Sequence, residues 1–180
     1  MKRLAAMVVA VLMVGGASAL AQQGDFGARL GYQRLTDGNS GAFVGGGYFR
    51  WDWHRIVMLE AAVLYHVEEV NATTDLELWP LQFSGLIYPL RRDYAISPYL
   101  LAGGGLYVTR LVEEHAKSES DFDFGWHLGF GLDFALNDRV FLEADFRYLW
   151  LDSNTQSETA AEALSNFDSW MATAGIGFRL

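Results

Sequence analysis

Four histidines, His54, His66, His115 and His127, are the first residues able to do chemistry in a chain that has no cysteine. A hydrolytic site would need one of them beside a Ser nucleophile and an acid, because a hydroxyl attacks poorly until a neighbouring base takes its proton. His115 with Ser118 and Glu119 is the nearest such grouping, and it lies in a charged stretch that reads as a solvated loop. No carboxylate pair, phosphate-cradling glycine loop or histidine ligand set has a spacing beyond chance, so neither catalytic residue, cofactor nor metal is expected. A second set of reactive groups is ionised and scattered: Arg29, Arg50, Glu60, His127, Asp133, Glu143, Asp145, Arg147 and Arg179. What these can do depends on the elements that carry them.

Those elements belong to a chain of 180 residues, 51% hydrophobic and 14% aromatic, with a mean hydropathy of +0.10 and a formal charge of -9. One domain is the expectation for this length, and so much apolar side chain excludes disorder. The absence of cysteine excludes disulfides and thiolate metal sites. Excess acid argues against nucleic acid, whose phosphates need a clustered basic patch.

Lys2 and Arg3 precede an apolar run from Leu4 to Gly16, and two small-x-small sites follow, Ala17-Ser18-Ala19 and Ala19-Leu20-Ala21. This is the pattern of a secretory signal peptide over 1–21, cleaved after Ala21. The run is short for a spanning helix, and Gly15 and Gly16 interrupt it. Beyond it no apolar stretch is long enough to cross a membrane as a helix, so a membrane-spanning mature chain over 22–180 must be a closed barrel.

Period-two alternation, the signature of strands, runs through that mature chain. Phe122, Phe124, Trp126, Leu128, Phe130, Leu132 and Phe134 alternate with Asp123, Gly125, His127, Gly129, Gly131 and Asp133. Residues 140–150 and 170–180 repeat the pattern, and weaker versions over 26–35, 42–52, 56–67, 76–89 and 98–111 make eight segments. Connections at Asp52–Arg55, Leu90–Ser97 and Ala135–Asp138 are mostly short. Those at Glu68–Asp75, Glu113–Asp121 and Asp152–Phe167 are longer and acidic, and Thr36–Gly41 shares their side. Short turns at one rim and long loops at the other describe an antiparallel up-and-down transmembrane barrel. A soluble lipocalin-like carrier would show the same period with its aromatic face inward. Large aromatic faces opposed by Gly and ionised groups favour the membrane form, with the ionised set in a narrow lumen. Trp51, Trp53 and Tyr99 by the turns, and Trp79, Phe122, Trp150 and Trp170 by the loops, read as two aromatic girdles. Pro80, within a proposed strand, belongs near the loop-side rim or at a bulge.

On these residues the chain resembles the small OmpA/OmpX-type eight-stranded outer-membrane barrels, above all the lone-barrel members. Pro98-Tyr99-Leu100-Leu101-Ala102-Gly103-Gly104-Gly105-Leu106-Tyr107 is similar to their fifth strand, and Asp123 to Leu132 to their sixth. Thr173, Gly175, Phe178 and Leu180 resemble the C-terminal signal read by the barrel-assembly machinery, with Leu180 standing where many members end in an aromatic. The resemblance implies an exported, porin-like or structural protein of a Gram-negative outer membrane, a monomer set among lipid and lipopolysaccharide, with no periplasmic wall-binding domain. Lipid A deacylases within that superfamily carry a His-x-Ser arrangement. Here the residues two beyond each His are Ile56, Glu68, Lys117 and Gly129, so a lipid-modifying enzyme is not expected. The expected role is a non-enzymatic barrel with a salt-bridged lumen and an acidic loop rim that includes Glu68, Glu69, Asp75, Glu77, Glu113, Glu114, Glu119, Asp121, Asp123, Asp152, Glu158 and Glu162. No loop partner is indicated. A narrow gated pore is the alternative.

Overall fold

The computed structural model describes residues 24–35, 41–71, 74–90, 92, 94–113, 120–152 and 168–180, with side chains left undescribed at 35, 66–79, 108–113, 120–123 and 151–152. The proposed signal peptide, the Thr36–Gly41 turn apart from Gly41, His115 and most of the last loop lie outside the described residues. Eight strands follow one another: β1 (Gly24–Leu35), β2 (Gly41–His54), β3 (Val57–Asn71), β4 (Thr74–Ile87), β5 (Ile96–Glu113), β6 (Ser120–Ala135), β7 (Val140–Asp152) and β8 (Ser169–Arg179). Each pairs antiparallel with the next, and β8 returns to β1 from Asp25↔Arg179 to Leu35↔Ser169, closing the barrel.

Alternation decides which residues face in. Phe124, Trp126, Leu128, Phe130, Leu132 and Phe134 are exposed on the outside of β6, whereas Gly125, His127, Gly131 and Asp133 between them are buried. The same inversion holds on β7, where Leu142 and Trp150 are exposed while Glu143, Asp145 and Arg147 are buried. An apolar outer surface around an ionised interior is stable only where hydrocarbon covers it. Outward rings pack between strands, Phe130 tilted against Phe146 at 5.6 Å and Phe26 stacked on Phe178 at 5.4 Å.

Strands on one side run further than the hydrophobic pattern indicates. Pairing of β3 with β4 continues through Glu69↔Asp75 to Asn71↔Thr74, and β5 reaches Glu113 opposite Thr74. The acidic stretch expected as a loop at 68–75 is therefore largely strand, and of 113–121 the described residues Glu113, Ser120 and Asp121 are strand, the rest lying outside the described residues. Alternation fades there because, above a bilayer, both faces of a sheet can meet water while the backbone ladder persists. Pro80 is buried and sits at no bulge: the β3–β4 ladder omits Leu64/Pro80 and Tyr65/Trp79, then resumes in the same register. The missing amide of proline interrupts the ladder without shifting it. Tyr99 also departs from its girdle position, because its parity in β5 turns it inward, to 1% exposure. At the β6–β7 turn the Asn137 side-chain oxygen accepts hydrogen bonds from the amides of Arg139 and Val140, each at 2.9 Å, which folds the turn as its Asn-Asp pair indicates.

Arginine placed at Phe130, near the middle of β6, is expected to destabilise the folded barrel by about 2–4 kcal/mol in a bilayer urea titration. Little effect there would show that the outer face does not meet lipid. Deleting Phe178 to Leu180 removes the seam contact with Phe26 and the Leu180 amide's bond to the Gly24 carbonyl. The truncated chain is expected to accumulate unassembled, read as lost heat-modifiable gel mobility in membrane fractions.

Candidate functional site: an ionised lumen between two seals

Inward positions of all eight strands converge on a narrow interior, and three arginines organise it. Glu60 on β3 is its centre. Its Oε2 accepts from Arg29 Nη2 and Arg50 Nε, both at 2.7 Å, and its Oε1 from Arg147 Nη2 at 2.8 Å. Glu143 bridges Arg29 Nε at 2.9 Å and Arg50 Nη2 at 2.7 Å. Asp145 takes Arg147 at 2.6 Å and Arg29 at 3.4 Å, and Asp133 takes Arg50 at 3.3 Å. These side chains are essentially inaccessible to solvent. Charges withdrawn from water this far are tolerated only with dense pairing, and here each arginine meets at least two carboxylates.

Tyrosines complete the packing. The guanidinium of Arg29 lies 4.2 Å and that of Arg50 4.6 Å from the centre of the Tyr48 ring, and Arg50 also lies over Tyr99 at 5.2 Å. Tyr88 donates to Asp133 at 2.8 Å. Room for these rings comes from glycine. A Cβ on Gly27 or Gly177 would overlap the Tyr48 hydroxyl, and one on Gly131 would overlap the Tyr99 ring. Towards the loops, Arg147 donates to Gln82 at 2.9 Å and Gln82 to Tyr107 at 3.2 Å.

Two seals of different chemistry bound this network. On the loop side Val44, Leu64, Tyr107, Leu149 and Met171, from five different strands, pack into a buried apolar septum. On the turn side the β4–β5 connection sends Arg92 back into the mouth, where it pairs with Asp25, lies 3.8 Å from both Asp52 and Asp133, and stacks over Tyr88 at 5.2 Å. Three strand arginines face four carboxylates in the network, and Arg92 adds a cation from a turn.

Of the residues assigned to the lumen from sequence, Arg29, Arg50, Glu60, Asp133, Glu143, Asp145 and Arg147 come together. His127 lies beside them, sharing a 2.8 Å hydrogen bond with Ser84. Arg179 does not join. It lies at the turn-side rim with its guanidinium 5.6 Å from the Phe141 ring, because the last residues of β8 stand below the network. Asp25, Tyr48, Gln82, Tyr88, Tyr99 and Arg92 were missed. Parity could have found Asp25, Tyr48 and Tyr99, two or four residues from inward arginines or on the row of Ser97. Arg92 carries no such signal, since its position follows from a turn. The Ser84–His127 pair joins separate strands, so a search two residues beyond each histidine cannot see it; both residues are buried. No group of three or more metal-ligating side chains occurs among the described residues. Of the assembly-signal residues, Thr173 and Gly175 face inward, and Phe178 and Leu180 outward.

A closed eight-stranded barrel, apolar outside and filled inside by paired charges, defines an outer-membrane barrel protein. The chain belongs to the outer membrane protein beta-barrel domain family, whose pattern matches residues 7–179. It is similar in structure to Neisserial surface protein A, at 15% identity and a TM-score of 0.68, over 87% of this chain and 96% of that one. It is also similar to the N-terminal barrel domain of Pseudomonas aeruginosa OprF, at 16% identity and a TM-score of 0.62, over 88% and 100%. A third likeness is to Ail, the attachment invasion locus protein of Yersinia pestis, at 16% identity and a TM-score of 0.56, over 88% and 100%. No curated protein matches the chain in sequence.

Replacing Glu143 with Ala leaves Arg29 and Arg50 each without one buried partner, at an expected cost of about 3–5 kcal/mol in unfolding free energy. Urea titration in bilayers checks this. A loss below about 1 kcal/mol would mean that water, and not Glu143, satisfies these arginines.

Proposed function

We propose that the protein is a non-enzymatic, non-conducting outer-membrane barrel, a monomer exported by the segment 1–21 and inserted by the barrel-assembly machinery. Its role is structural or surface-interacting, carried by the acidic loop rim amid lipopolysaccharide. The observation that supports this most directly is the interior: a paired charge network closed on the loop side by Val44, Leu64, Tyr107, Leu149 and Met171 and on the turn side by Arg92. An eight-stranded barrel leaves room for its own side chains and little else.

An enzymatic reading would have to use Ser84 and His127, the one Ser–His pair among the described hydrogen bonds. Both are buried inside the barrel, where a lipid substrate has no approach. Ail is known in complex with the heparin analogue sucrose octasulfate, so a barrel of this fold can bind a polyanion. The acidic rim of this chain favours cationic or cation-bridged contacts instead.

Planar-bilayer recordings test the sealed interior. Wild type and Asp145→Ala are both expected to show no reproducible single-channel openings, with the substitution felt as lost stability. Openings in the wild type that grow in the variant would establish the narrow gated pore.

A further inference from the structure

Asp25 stands where three arginines converge. On β1 it lies opposite Arg50 of β2 and opposite Arg179 of β8, and its side chain shares the inward face with both. A directly opposed acid and base on one face of an antiparallel ladder, with Cβ atoms about 5 Å apart, is the ordinary cross-strand ion pair. Arg179 does not make it. Arg92, arriving from the β4–β5 connection, holds Asp25 instead, while Arg179 lies over the Phe141 ring at 5.6 Å and Arg92 over the same ring at 5.8 Å. The Nε atoms of both are buried without a hydrogen-bond partner, and Arg179 has no ion pair among the described residues.

Each carboxylate that Arg92 meets has a second partner within reach. Asp133 accepts from Arg50 at 3.3 Å and from Tyr88 at 2.8 Å, the Asp52 side chain is 43% exposed and meets water, and Asp25 has Arg179 directly opposite. Withdrawal of Arg92, whose side chain is 17% exposed, therefore leaves no buried acid unpaired, provided that Arg179 swings from Phe141 to Asp25. The loop-side septum has no counterpart to this reserve. Val44, Leu64, Tyr107, Leu149 and Met171 project from paired strands, and parting them would bring apolar surface into water.

We propose that the turn-side seal is a two-position latch in which Arg92 and Arg179 exchange on Asp25. With Arg92 in place the mouth is shut, as in this structure. With Arg179 in place Arg92 is released to the water outside, and a vestibule opens inward to Tyr88, Ser97 and Asp133 while the septum stays closed. Only side chains move, so the backbone ladder is the same in both positions. The interior then communicates with one side of the membrane and never with both, which gives small water-soluble solutes of the turn side access to buried acids without a path across. This deepens the sealed-interior reading and rests on its septum.

The chain has no cysteine, so a single introduced thiol reports the open position. Ser97→Cys places it at a buried, inward site of β5 opposite Asp133. The full barrel is held in phosphatidylcholine nanodiscs, heat-modifiable mobility confirms that each variant is folded, and the rate of labelling by methyl methanethiosulfonate, a small neutral reagent, is measured. Adding Arg92→Ala should speed labelling, because the mouth then stands open. Adding Arg179→Ala should slow it about fivefold, the effect of one cross-strand ion pair lost from the open position. Arg179→Lys, which keeps the charge, should label at the rate of the Ser97→Cys barrel. Once Arg92 is removed, Arg179→Ala should change nothing, which separates an exchange from a general effect of charge on the thiol. Labelling of the Arg179→Ala barrel at the unsubstituted rate overturns the latch, and so does a slowing that persists without Arg92. Single-channel conductance in Arg92→Ala would overturn the one-sided vestibule and the sealed-interior reading together, whereas the labelling result can fail with that reading intact.

Discussion

Inside a hydrocarbon layer no water is available to an unpaired amide or carbonyl, and that constraint organises the rest of this molecule. A strand entering the layer must be paired on both edges, so the sheet has to return on itself, as β8 does on β1 over eleven register pairs. Closure then exchanges inside and outside. The face that would form the core of a water-soluble barrel, with Phe124, Trp126, Phe130 and Phe134, turns to lipid. The face with Gly, Arg and Glu is left to fill a space barely wider than its own side chains.

That narrow space explains why the interior is ionic and yet closely packed. Arg29, Arg50 and Arg147 reach across from three strands, and no single carboxylate could satisfy each of them. Glu60 receives all three, while Glu143, Asp145 and Asp133 take the remaining donors. Such a cluster contributes less to net stability than to geometric uniqueness, since desolvation offsets most of the attraction. Glycines opposite Tyr48 and Tyr99 belong to the same solution, because in a small barrel a large ring on one strand requires its absence on the next.

The strands were legible in the sequence wherever lipid meets one face and the lumen the other. Over 122–134 and 140–150 the alternation is nearly unbroken, and both segments fall within strands. Legibility fails for two physical reasons. Above the bilayer both faces can be wet, so β3, β4 and β5 continue through Glu69, Asp75 and Glu113 without an apolar row. Within the lumen, facing inward does not require polarity: Met58, Leu86, Leu101, Leu149 and Met171 are buried inside, where apolar side chains pack as readily as charges. Parity located most of the ionised cluster, but it could not show which charges lie at one depth. Arg179 shares the inward row of β8 and stands too near the rim to meet Glu143 or Asp145.

Arg92 has a further meaning once the order of chain assembly is considered. It sits on the connection between β4 and β5, yet its partners are Asp25 at the beginning of the first strand and Asp133 near the end of the sixth. None of these pairs can form within a hairpin. The pair with Asp25 comes into being only when the first strand has been brought round to its final neighbours, so the guanidinium acts there as a clasp fastened late in folding. An interaction absent while the barrel is still open adds nothing to the rate of closing and lowers the rate of reopening. The turn-side mouth thereby carries kinetic persistence, a property distinct from the equilibrium strength of the charge cluster above it.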